Sequence, residues 1–166
     1  MILIGGGARS GKSTEALRRL HQAGPRMGFI ATATPSDDEM RERIDRHRAE
    51  RSPEIATWEE PIQVAERIRA EDGKYDAVVV DCLTLWLNNL MFSEADIEAE
   101  TEKLLQAATS AVTQTIFVTN EVGCGIVPVH AVARRFRDEA GRMNQRFAER
   151  ASEVYWMAFG LGLRVK

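Results

Sequence analysis

Residues Gly6, Gly7, Ala8, Arg9, Ser10, Gly11, Lys12 and Ser13 spell G-x-x-x-x-G-K-[ST] and follow the apolar run Met1-Ile2-Leu3-Ile4 directly. This order constrains the fold strongly. A short buried strand must run into a glycine-rich turn, and the turn must open a helix. The helix is expected over Lys12–Ala23, closed by Gly24-Pro25. Such a turn captures anions, because loop N–H groups and the positive end of the helix dipole converge on phosphate oxygens. Lys12 adds a mobile cation, and Ser13 offers a hydroxyl to Mg2+.

Further strands are expected at Gly28–Ala33, Ala77–Asp81, Thr115–Thr119 and Glu153–Phe159. Each is short and almost continuously apolar, which suits parallel strands buried on both faces. Helical patterns separate them. Ser36-Asp37-Asp38-Glu39 reads as a capping box, followed by Met40, Ile44 and His47 along one helix face. Pro61 starts a helix to Ala70, Ser93 caps one to about Ala111, and another spans His130–Ala151. Gly160-Leu161-Gly162 reads as a tight turn, with Leu163–Val165 returning as an antiparallel edge strand. The alternation predicts one α/β domain over residues 1–166, a three-layer sandwich with a mainly parallel sheet and the active loops at its carboxyl edge.

Leu83–Phe92 is apolar nearly all round, broken by Thr84, Asn88 and Asn89. It belongs either deep in the core or against another chain, and an oligomer interface is the favoured expectation. It is too short to cross a bilayer, so no stable membrane insertion is expected. Net charge is −3, so no overall basic field invites nucleic acid. Arginines nevertheless cluster at 41–51 and 134–150, as solvated helix faces with a remainder free to meet phosphates. No leader is read ahead of the phosphate loop, and two cysteines without metal spacing fit a reducing, cytoplasmic setting.

Val78-Val79-Val80-Asp81 is an apolar strand ending in a carboxylate. A second strand of this kind beside a phosphate loop supplies an acid for Mg2+; the other reading is a strand-end or helix-cap acid. Cys82, not a second acid, follows Asp81, which favours transfer to a bound acceptor over hydrolysis. Of three histidines, His21 near the end of the first helix is expected exposed to solvent or at a helix C-terminal contact, and His130 has no evident task. His47 stands among Arg46, Arg48 and Arg51, either as a half-buried ring satisfied by backbone or as a nucleophile on phosphorus kept neutral by the guanidinium groups. The loop from Thr119 to Pro128, with Asn120, Glu121, Gly123 and Gly125, belongs at the carboxyl edge, for substrate contact or plain turn chemistry.

Phe29-Ile30-Ala31-Thr32, Asp38-Glu39-Met40 and Arg43-Ile44-x-x-His47 follow the loop in order, then Thr119-Asn120-Glu121-Val122-Gly123-x-Gly125-Ile126-Val127-Pro128 and Phe136-Arg137-Asp138-x-x-Gly141-Arg142-x-Asn144-Gln145. Over nearly its whole length the chain resembles the bifunctional adenosylcobinamide kinase / adenosylcobinamide-phosphate guanylyltransferases of cobalamin biosynthesis. The resemblance implies a P-loop NTPase-like (RecA-like) fold. It implies phosphorylation of adenosylcobinamide by ATP or GTP, then GMP transfer from GTP through a guanylyl-histidine that maps to His47. It also implies nucleotide contacts at Ala31, Thr32, Ala33, Arg48, Ala49, Glu50, Arg51, Glu59 and Asp81, and a homotrimer. The chain departs from some relatives in being compact around residues 93–101. The competing readings are a simple small-molecule kinase, needing Lys12 but not His47, and a nucleotide-switched binding module or recombinase-like ATPase subunit.

Overall fold

The computed structural model describes residues 1–35, 38–49 and 51–166, without the side chains of residues 39, 40, 43 and 47. Strand β1 (Ile2–Gly6) leads through the glycine-rich turn into α1 (Lys12–Ala23). There follow β2 (Met27–Ala31), α2 (Asp38–Ala49), β3 (Ala56–Glu59), α3 (Val64–Glu71), β4 (Ala77–Asp81) and α4 (Leu83–Phe92). The chain continues through α5 (Ile97–Ser110), β5 (Gln114–Asn120), α6 (Ala131–Arg150), β6 (Glu153–Ala158) and β7 (Leu161–Arg164). The seven strands form one sheet in the order β3-β2-β4-β5-β1-β6-β7. Every pairing is parallel except β6 with β7, as the α/β expectation requires.

The strands bury both faces because side chains alternate across the pleat. Ile2, Ile4, Phe29, Val79, Ile116 and Val118 pack on one side with Ala16 and Leu20 of α1. Leu3, Ile30, Val78, Val80 and Phe117 pack on the other with buried residues of α3, α4, α5 and α6. Phe117 and Phe147 meet edge to face, ring centroids 4.9 Å apart. Among the described residues no helix is long and apolar enough to cross a membrane.

Several boundaries differ from the sequence expectation for identifiable reasons. Strand β3 carries no strand signal of its own; Ala56-Thr57-Trp58-Glu59 is half polar and is held by edge pairing to β2. Helix α3 begins at Val64, past Pro61. Helix α5 is capped by Asp96, whose carboxylate accepts the Ala99 N–H at 3.0 Å, because Ser93 is spent closing α4: its N–H donates to Asn89 O and its hydroxyl to Leu90 O. Only residues 93–96 join α4 to α5. The last turn is Phe159-Gly160, and Gly162 lies inside β7 opposite Met157. The expected capping serine Ser36 and Asp37 lie outside the described residues.

Helix α4 corrects a larger expectation. Leu83, Trp86, Leu87 and Leu90 are fully buried in the chain's own core. The all-round apolar pattern therefore serves a helix wedged between the sheet, α5 and α6. Phe92 alone of this run is strongly exposed.

Candidate active site

The phosphate loop sits where β1 meets α1, at the carboxyl edge. Gly11 precedes the helix at φ 95°, a left-handed conformation open to glycine. A Cβ there would also stand 3.1 Å from Gly160 Cα, so the hairpin between β6 and β7 closes against the loop. Lys12 is buried; its ammonium donates to Gly7 O and, at 3.4 Å, to Ser10 Oγ. Ala8 and Arg9 are exposed at the loop crest, with Gly6 and Ser10 buried beneath.

Ser13 Oγ donates to Asp81 Oδ2 at 2.8 Å. Asp81 is not on the strand beside β1, because β5 lies between β1 and β4. Helix α1 crosses that gap by packing over β5 and β4, which brings its first turn to the end of β4. A hydroxyl and a carboxylate are hard oxygen donors. They fit Mg2+, which takes one or two protein oxygens and completes its shell with phosphate and water. Among the described residues no cluster of three or more His, Cys, Asp or Glu forms a metal cage.

The sheet register places other expected residues beside Asp81. Ala31 pairs with Asp81 on one side and Glu59 on the other. Glu59 ion-pairs with Arg48 from the end of α2. Arg51 lies over the Phe29 ring, 4.4 Å from its centroid, and interacts with the Asp81 charge. Burial and the neighbouring Arg48 lower the Arg51 pKa below its ordinary value, so this cation prefers an anion beside it. Ala33 is half-buried and Ala49 exposed. The backbone of His47 runs in α2, one residue before Arg48. Its side chain, and Glu50 altogether, lie outside the described residues.

Thr32 ties the ends of β2 and β4 together. It is fully buried; its hydroxyl donates to Cys82 O and accepts the Cys82 N–H, both at 2.8 Å. Its N–H donates to Asp81 O, and its carbonyl accepts from Asn89 Nδ2 at 2.8 Å. Cys82 follows Asp81 through a cis peptide. Burial pushes its thiol pKa up to about 12, so Cys82 is neither base nor nucleophile at neutral pH.

Two polar networks were not foreseen from sequence. Asn89 ties Thr32 O to Pro61 O, joining the ends of β2 and β3 to α4. At the end of β5, Asn120 N–H donates to Thr84 Oγ1 at 2.7 Å, while Thr119 Oγ1 donates to Asn144 Oδ1 at 2.7 Å. The Thr84 hydroxyl is thus free to donate to Thr119 Oγ1 at 3.5 Å, and Asn144 Nδ2 donates to Asn120 O. This ring fixes the departure of the 120–128 loop, whose Glu121 N–H donates to Gly6 O at 3.0 Å. The signal for both was the polar interruptions Thr84 and Asn89 in an otherwise apolar helix.

A family model described as cobinamide kinase / cobinamide phosphate guanyltransferase matches residues 2–165. The bifunctional adenosylcobalamin biosynthesis protein CobP of Pseudomonas aeruginosa is 42% identical over 166 residues, covering 99% of this chain and 96% of that protein. The bifunctional adenosylcobalamin biosynthesis protein CobU of Escherichia coli is 38% identical, covering 100% and 99%. The Salmonella typhimurium protein of the same name is also 38% identical, with the same coverage.

Proposed function

The chain belongs to the cobinamide kinase / cobinamide phosphate guanyltransferase family, and on that premise we propose how its residues divide two phosphorus transfers between them. In the first, loop amides and Lys12 hold the terminal phosphates of ATP or GTP. The alcohol of the cobinamide side chain attacks the γ-phosphorus, and the nucleoside diphosphate departs with the bridging oxygen. Ser13 and Asp81 are the protein ligands of Mg2+, which when bound neutralises phosphate charge. Catalysis here is mostly positioning and charge neutralisation.

In the second transfer, neutral His47 attacks the α-phosphorus of GTP and pyrophosphate leaves, giving a histidine phosphoramidate. A phosphate oxygen of cobinamide phosphate then attacks that phosphorus. The P–N bond breaks, His47 is regenerated, and adenosylcobinamide-GDP forms. Arg48 and Arg51 neutralise the triphosphate, with Glu59, Ala31, Thr32, Ala33, Ala49 and Glu50 framing the nucleotide. A single domain carries both reactions, in the cytoplasm, as a homotrimer. The exposed Ile126, Val127, Val129 and Val132 offer apolar surface for self-association.

The observation that carries this reading is the convergence at one edge: a buried Lys12, Ser13 bonded to Asp81, and Arg51 beside that carboxylate. Incubation with α-labelled GTP tests it. Wild type takes up acid-labile, alkali-stable label, and His47→Ala takes up none while keeping kinase activity. Label retained in His47→Ala refutes the assignment. No label in wild type, with kinase activity present, supports the simple kinase instead.

A further inference from the structure

Asn120 ends β5 with a side chain that the fold does not use. Its N–H donates to Thr84 Oγ1 and its carbonyl accepts from Asn144 Nδ2, but among the described residues its side-chain amide has no hydrogen-bond partner. Asparagine is disfavoured in strands, and a half-buried amide without partners adds no stability. Such a group is available to a ligand.

The pleat fixes the face it occupies, since side chains alternate across a strand. Ile116 and Val118 pack on the α1 side of the sheet and Phe117 on the other, so Asn120 belongs to the α1 side. The same alternation in β4 puts Asp81 on the α1 side with Ala77 and Val79, where it meets Ser13 Oγ of α1. Thr119 conversely turns to Asn144 of α6 and Thr84 of α4. Strand β5 lies between β4 and β1, and Asn120 pairs with Gly6, the first residue of the phosphate loop. Val118 is the partner of Asp81, so Asn120 stands two residues, about 6.6 Å, farther out along the carboxyl edge. Its amide therefore shares a face with the Ser13–Asp81 pair, between the strand that feeds the loop and the strand that ends in the carboxylate.

We propose that Asn120 is a catalytic residue of the kinase step, its Nδ2–H donating to an oxygen of the γ-phosphoryl group in flight. The proposal rests on the phosphate-loop reading above and deepens it. The cobinamide hydroxyl oxygen bonds to the γ-phosphorus, and the bond from that phosphorus to the bridging oxygen breaks. The hydroxyl proton passes to an oxygen of the transferred phosphoryl, and the nucleoside diphosphate leaves. Asn120 takes no proton; its donor meets charge spread over the phosphoryl oxygens in the transition state. A nucleoside diphosphate lacks that group and gains nothing from the amide.

Cobinamide kinase turnover with ATP, ADP binding by calorimetry and thermal unfolding of wild type, Asn120→Ala and Asn120→Asp test it. Asn120→Ala is expected to lose about 10²-fold in kcat with ADP affinity unchanged. Asn120→Asp keeps the shape but turns a like charge to the phosphate, so it should be at least as slow as Asn120→Ala. Wild-type kcat in either variant overturns the proposal. So does ADP binding weakened in proportion to kcat, or unfolding of both variants, which assigns Asn120 to the scaffold. Wild type that binds no nucleotide refutes the phosphate-loop reading itself, and this proposal falls with it.

Discussion

Thr32 shows how one side chain can hold the backbone of a site together. Its hydroxyl is both donor to and acceptor from the backbone of Cys82, and its own N–H reaches Asp81 O. The position of the Asp81 carboxylate beside Ser13 thus depends on a residue at the end of β2, three strands from β1. Thr32→Val keeps shape but leaves the buried N–H and C=O of Cys82 short of partners, which costs about 2 kcal/mol. For a chain of this size, Tm is expected to fall by about 4–8 °C in thermal unfolding. An unchanged Tm would mean that the Cys82 groups find other partners. Sequence revealed Lys12, Ser13 and Asp81, because motif residues lie close together or end an apolar run. It did not reveal the bonds of the Thr32 hydroxyl, because nothing local announces that it will be engaged by backbone fifty residues later.

Among the elements, α1 and α4 match their expected bounds, since each has clear punctuation: Gly11 and Gly24 around α1, Cys82 and Ser93 around α4. Strand β3 escaped because its stability comes from pairing with β2 and from Trp58 set edge-on to Tyr75 at 5.2 Å, neither of which is local. The burial of α4 escaped because periodicity reports how apolar a surface is, not whether its own chain covers it. The Thr84–Thr119–Asn144 ring joins α4, β5 and α6 across many residues, so spacing cannot disclose it. Helix α2 carries a mechanistic prediction at this scale. It bears His47 on an element whose exposed Arg48 is anchored to Glu59, at the edge where Arg51 meets Asp81. GTP bridging the phosphate loop and these arginines should draw α2 inward and slow its amide exchange. Hydrogen exchange with and without GTP measures this, and identical protection of α2 in both states counts against it.

Across the whole molecule, ionisable groups set a window of pH in which the fold is most stable. On the acid side, Arg18 holds Glu15 below the ordinary carboxylate range, and Arg26 does the same for Asp76. The Thr113 N–H lowers Asp72, and the Tyr155 hydroxyl lowers Glu153. Each carboxylate binds protons more weakly folded than unfolded, so its contribution is complete above an unfolded pKa of about 4 and is lost as pH falls through the folded value. On the alkaline side the sign reverses. Cys82 keeps its proton to about pH 12 when folded, whereas an unfolded thiol releases it near about 8.5. Stability is therefore lost from about pH 8.5 upward as the unfolded chain gains a thiolate that the core refuses. Urea unfolding from pH 3 to 10 should give a plateau between about pH 5 and 8 with losses on both sides. Cys82→Ala should soften the alkaline loss and leave the acid one in place. High salt should soften the acid loss, because the Arg18 and Arg26 side chains of these pairs are half or more exposed and open to screening. An alkaline limb identical in Cys82→Ala would show that the buried thiol does not set it.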